Sequence, residues 1–191
     1  MLTFVQRITA SCLAALCFAA LCLAASPAFA ASPPMVGGAP MYPNKTIVEN
    51  AVNSKDHTTL VAAVKAAGLV DTLNSEGPFT VFAPTNEAFA KLPAGTVDTL
   101  VQPEHKADLT KILTYHVVSG TLTAKQLMTE AKAHGGKIIL KTVQGEPLTV
   151  MQHDGKLWVM DAKGDKAAVT IADVMQANGV IHVIDTVLMP K

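Results

Sequence analysis

From Thr46 to Leu73 the apolar positions Ile47, Val48, Ala51 and Val52, then Leu60, Val61, Val64 and Ala67, recur at helical spacing, and Gly68 ends the second run. The spacing predicts a helical hairpin opened by Asn44 as cap. Pro78 to Ala83 is a short β-branched and aromatic strand stopped by Pro84, after which Thr85 or Asn86 caps a helix reaching Leu92. Thr96 and Pro103 open two further helices. The second buries Leu109, Ile112 and Leu113 and runs into a strand from Tyr115 to Val118, and Thr123 caps a helix reaching Ala133. Beyond Gly136 the period changes from 3.6 to 2. Ile138 to Thr142, Leu148 to Gln152, Leu157 to Met160, Val169 to Ala172 and Val180 to Ile184 read as strands, with Asp154-Gly155 as a hairpin turn. Helices gathered before a mainly antiparallel sheet predict an α+β domain.

Composition changes the picture at the N-terminus. Of the first 30 residues 23 are hydrophobic, Arg7 precedes an uncharged run from Ile8 to Ala25, and Ala28-Phe29-Ala30 offers small residues for cleavage. Residues 1–30 are therefore expected to be a signal peptide, with the product secreted to the periplasm or the medium. Residues 31–43, with four prolines and two glycines, read as a flexible tail, and residues 44–191 as a single domain. All three cysteines (Cys12, Cys17, Cys22) fall in the leader, so the exported chain is expected to hold no disulfide. Removing Arg7 leaves 14 lysines against 15 acidic residues, a balance without the arginine forks that nucleic-acid binding favours. The expected product is a monomer with no stable membrane anchor.

No catalytic constellation has the required spacing. The chain contains no Gly-x-Ser-x-Gly elbow, no phosphate-cradling glycine loop and no His-Glu-x-x-His helix, and Ser119 sits three residues from His116, on the opposite face of an expected strand. The reading is of a non-enzyme without cofactor.

One local arrangement is sharper. A two-residue turn at Asp154-Gly155 sets His153 opposite Lys156 and Met151 opposite Trp158. Leu148, Val150, Leu157 and Val159 then face the core, leaving Met151, His153, Trp158 and Met160 together on the outer face. Three roles suit that patch: packing under a helix or tail, contact with a partner, or a soft-metal site, since thioether and imidazole suit Cu(I).

Three segments resemble the fasciclin (FAS1) domain. They are Thr80-Val81-Phe82-Ala83-Pro84-Thr85-Asn86-Glu87-Ala88-Phe89, the Tyr115-His116 pair, and Asn178-Gly179-Val180-Ile181-His182-Val183-Ile184-Asp185 followed by Val187-Leu188-Met189-Pro190. The resemblance covers about Thr46 to Pro190 and looks like a single-domain secreted bacterial member. It implies a wedge of two β-sheets with a layer of short helices, and a role in adhesion to a protein or glycan on a cell surface or matrix. It also marks Tyr115, His116, Asp173 and Val174 as candidate interaction residues, the last departing by one methylene from an Asp-Ile pair of animal members. Two functions follow: a secreted adhesion module, or a periplasmic small-ligand or copper-binding protein using the Met/His/Trp face.

Overall fold

The computed structural model describes residues 33–93 and 95–191. The expected leader, its cleavage site and its three cysteines lie outside the described residues. The helical half begins with α1 (Ile47–Ala51), α2 (Thr58–Ala67) and α3 (Val70–Asn74). Thr46, not Asn44, caps α1: its hydroxyl accepts from the Glu49 N–H while the Glu49 carboxylate accepts from the Thr46 N–H, which satisfies two end donors at once. Gly68, at φ +73°, closes α2 in the left-handed conformation. Strand β3 (Phe79–Pro84) leads into α4 (Asn86–Ala90), α5 (Thr96–Leu100) and α6 (Lys106–Tyr115), numbered after a two-stranded hairpin, β1 (Met35–Val36) and β2 (Ala39–Pro40).

That hairpin corrects the reading of residues 31–43 as a flexible tail. Gly37 and Gly38 turn the chain at positive φ, and the apolar residues beside them reach the core, Val36 at 3% and Met41 at 2% exposure. Composition alone understated the segment because two well-placed apolar side chains suffice to anchor it.

The remaining elements are β4 (Val117–Ser119), α7 (Ala124–Ala133), β5 (Lys137–Lys141), β6 (Pro147–His153), β7 (Lys156–Met160), β8 (Lys166–Gln176) and β9 (Gly179–Ile184). They build one seven-stranded sheet in the order β4-β3-β9-β8-β7-β6-β5. Only β3 and β9 run parallel. The two arms of the wedge meet in β8: Lys166 to Ala168 pair with β7, and Val169 to Gln176 pair with β9 through two register shifts. At the far edges Val118 bridges Thr142, and the Val143 N–H donates to the Val117 carbonyl at 2.8 Å, so the arms touch again.

Two apolar clusters fill this frame. One lies between the helical layer and the β3/β9 arm, with Phe89, Leu109, Ile112, Val81 and Ile181 among its members. The other lies under α7, where Leu127 and Ala131 meet Leu148, Val150 and Val159. Each fully buried Leu or Val there contributes about 2 kcal/mol of transfer free energy.

Two expectations need correction here. Tyr115-His116 were read as the start of a strand; Tyr115 instead completes α6 and the His116 N–H still bonds the Leu113 carbonyl, so β4 starts at Val117. The strand predicted over Val169 to Ala172 runs instead from Lys166 to Gln176. Its bulges, with Asp173 at φ +57°, break the alternation by which its length would have been read.

Candidate functional site

Tyr115 and His116 sit at the junction of both clusters and are 0% and 2% exposed. The Tyr115 hydroxyl donates to the Pro147 carbonyl and accepts from the Ala162 N–H, both at 2.9 Å, clamping the start of β6 to the segment after β7. Burial pushes its pKa up to about 12, so the donor proton stays in place. His116 donates from Nδ1 to the Ile112 carbonyl at 2.8 Å and accepts at Nε2 from the Leu188 N–H at 3.0 Å. That pattern fixes a neutral ring, and burial lowers its pKa to about 4. Neither side chain presents a surface to a partner.

The Asp173-Val174 pair divides at the bulge. Val174 is fully buried in the helical cluster, whereas Asp173 is exposed. Its carboxylate accepts from the Ala124 N–H at 2.7 Å, at the first turn of α7, where a negative charge is favoured. Its N–H donates to Nδ1 of His182, whose Nε2 donates to the Leu122 carbonyl at 2.8 Å. His182 is itself fully buried and stacked on Phe82, with ring centroids 5.6 Å apart. The chain thus uses this aspartate and histidine to hold the segment leading into α7.

Sequence reasoning missed His57. It lines an apolar cavity of about 50 Å³ between α1, α2 and the inner face of β3 and β9. Its Nδ1 shares a hydrogen bond with the Ser54 hydroxyl at 2.8 Å, while Nε2 has no hydrogen-bond partner among the described residues. Burial lowers its pKa; the Ala83 carbonyl offsets part of that effect without meeting hydrogen-bond geometry. A cavity that admits benzene measures about 150 Å³, so this one is packing slack rather than a ligand pocket.

The hairpin face is open. Asp154 and Gly155 both take positive φ, and the register pairs His153 with Lys156, Met151 with Trp158 and Thr149 with Met160. Leu148, Val150 and Val159 are fully buried beneath, and Leu157 is 2% exposed. On the outer side His153 is exposed, and Met151, Trp158 and Met160 are half-buried. Among the described residues no helix or N-terminal segment covers them: α7 packs on the opposite face, and Val36 and Met41 join the helical cluster. The register also spreads the soft donors, since His153 and the Thr149–Met160 pair lie four residues apart along β6, about 14 Å. Among the described residues no group of three His, Cys, Asp or Glu side chains converges as a metal site.

The sequence profile of the fasciclin domain matches residues 55–190. The chain belongs to the fasciclin domain family. It is 54% identical over 145 residues to protein sll1483 of Synechocystis, covering 76% of this chain and 73% of that one. It is 40% identical to the immunogenic protein MPB70 of Mycobacterium bovis, over 73% of this chain and 66% of the relative. It is 38% identical to transforming growth factor-beta-induced protein ig-h3 of Sus scrofa, over 78% of this chain but only 20% of that longer protein. Among solved structures, a FAS1 domain pair from the insect cell adhesion molecule fasciclin I superposes with a TM-score of 0.68 at 24% identity, over 77% of this chain and 51% of that one. That likeness shows the fold.

The fasciclin signature residues serve the architecture. The Asn86 amide accepts from the Thr59 N–H at 3.0 Å and donates to the Lys55 carbonyl at 2.8 Å, tying the end of β3 to the start of α2. Asn178 accepts from the Ile47 N–H and donates to the carbonyls of Leu73 and Ser75, tying β9 to α1 and α3. Tyr115→Phe tests the clamp. It deletes both hydroxyl bonds and strands the Ala162 N–H, so unfolding free energy should fall by about 2 kcal/mol in urea titration, with the far-UV spectrum unchanged. A loss below about 0.5 kcal/mol would show that water replaces the hydroxyl.

Proposed function

We propose that this fasciclin domain is an exported, non-enzymatic adhesion module that attaches to a protein or glycan surface through the outer face of its β6–β7 hairpin. The observation that carries the reading is the uncovered patch of Met151, Trp158 and Met160 on the sheet, joined to membership of a family whose solved relative is a cell adhesion molecule. A half-buried tryptophan beside two methionines, open to solvent on one side, is the composition of an interaction surface. Among the described histidines, His116 and His182 are held neutral and occupied by structural hydrogen bonds, which leaves neither free to act as a general base. The name of a further relative, the cell surface glycolipoprotein MPB83, accords with export past the membrane.

Attachment of fluorescently labelled protein to isolated native cell envelope and surrounding matrix tests this reading. Saturable attachment is expected, reduced about tenfold or more by Met151→Ala with Trp158→Ala at unchanged circular dichroism. Failure of the wild type to attach saturably to any fraction would sink it.

A further inference from the structure

Lysines gather on the face that bears Trp158. The pairing of β5 with β6, β6 with β7 and β7 with β8 places Lys137, Met151, Trp158 and Ala168 in one row across four strands. The adjoining row holds Ile139, Thr149, Met160 and Lys166, and Lys156 follows two residues from Trp158 on the other side. Lys137 and Lys166 therefore stand three strand spacings apart and one row out of line, about 16 Å, with Lys156 about 7 Å along β7 from the indole. Lys137, Lys156 and Lys166 are exposed, and among the described residues none forms an ion pair with a carboxylate. No acidic residue occupies an outward position in these pairings. The neighbouring acids sit in the turns at the ends: Asp154 pairs with His153, Glu146 is turned to Lys111, and Asp165 precedes β8. A domain whose lysines and acids nearly balance has thus left one sheet face cationic, with an aromatic ring in the middle.

We propose that this face binds an acidic polysaccharide, with Trp158 stacking against the C–H face of a sugar ring and Lys137, Lys156 and Lys166 meeting its carboxylates or sulfates. The proposal rests on the adhesion reading and names the chemistry of the partner. Charge complementarity selects a polyanion. An extended peptide would add its backbone at the edge of β5, whereas Trp158 lies two strands inside that edge, on β7. An anionic membrane would reward several protruding apolar side chains, whereas in these rows Ile139 alone protrudes and Met151, Trp158 and Met160 are half-buried between their neighbours. A flat sheet with a ring at its centre and cations around it suits a linear glycan chain lying across the strands.

Trp158 is the chain's single tryptophan, so selectively excited tryptophan emission of the full chain reports on this site alone. Titration with polygalacturonate should shift Trp158 emission saturably, and dextran of similar length should not. Raising salt from 0.1 to 1 M, which shortens the Debye length from about 10 to 3 Å, should abolish the shift. The triple substitution Lys137→Gln, Lys156→Gln, Lys166→Gln should weaken binding about tenfold or more, as each tenfold is 1.4 kcal/mol, and Lys65→Gln with Lys106→Gln on the helical layer should leave it unchanged. Wild-type affinity in the triple variant, or an emission change with phosphatidylglycerol vesicles but none with polygalacturonate, would overturn the proposal. Saturable attachment to native envelope without polygalacturonate binding would overturn the glycan chemistry and leave the adhesion reading standing; loss of both would end both.

Discussion

Gly179→Ala should lower the free energy of unfolding by on the order of 4 kcal/mol. Gly179 opens β9 opposite Phe79 in the parallel pairing with β3. A Cβ built there would stand 2.0 Å from the Phe79 carbonyl oxygen, and backbone cannot swing aside as a flexible side chain would. The only escape is to part β3 from β9 at the centre of the sheet. Gly155→Ala supplies the contrast: a Cβ there meets nothing within 4 Å, so only the positive φ of +74° opposes it, at about 1 kcal/mol. Urea midpoints of the two variants measure the difference, and equal midpoints would show that the β3–β9 contact is far looser than described.

Acidification from pH 6.5 to 4 should remove on the order of 3 kcal/mol of stability through His116 alone. Its folded pKa is depressed to about 4 from an unfolded 6.5, because burial penalises the charged ring more than the Ile112 carbonyl and the Asp161 charge favour it. A depressed folded pKa means that the unfolded chain takes up the proton first. Stability is therefore complete above 6.5, declines across this window as the unfolded state alone binds protons, and stops declining once the folded ring titrates, with each unit worth 1.36 kcal/mol. His57 and His182 are depressed by burial in the same direction, against the opposing pull of the Ala83 and Leu122 carbonyls and of the Asp56 and Asp173 charges. Urea midpoints measured at half-unit pH intervals should fall through this window in the wild type and more gently in His116→Gln, whatever that variant's starting stability. Parallel slopes would assign the acid sensitivity elsewhere.

Some of this molecule is legible in local sequence and some is not. The β6–β7 hairpin reads directly, because Asp154-Gly155 permits two consecutive positive φ values and the alternation of Leu148, Val150, Leu157 and Val159 allows only one inward face. The three signature segments identify the fold for a related reason: Asn86, Asn178 and His182 each satisfy backbone groups distant in sequence, so their identities are tightly constrained. Local pattern failed where a distant partner decides the outcome. Val36 and Met41 look like linker until the helical cluster receives them, and Tyr115 looks like strand until Pro147 and Ala162 claim its hydroxyl. The cationic frame around Trp158 was invisible for the same reason, since it needs the registers of β5 and β8 as well as that of the hairpin.

The strand order carries a consequence for the newborn chain. β9 lies between β3 and β8, and its parallel partner β3 is synthesised about a hundred residues earlier. Until Gly179–Ile184 emerges, β3 has only the three-residue β4 beside it, and the β8–β7–β6–β5 arm lacks the strand that continues its sheet into β3. Such non-local closure makes folding slow and late. A domain that stays loose until β9 has been made is one that a narrow pore can still thread up to that moment.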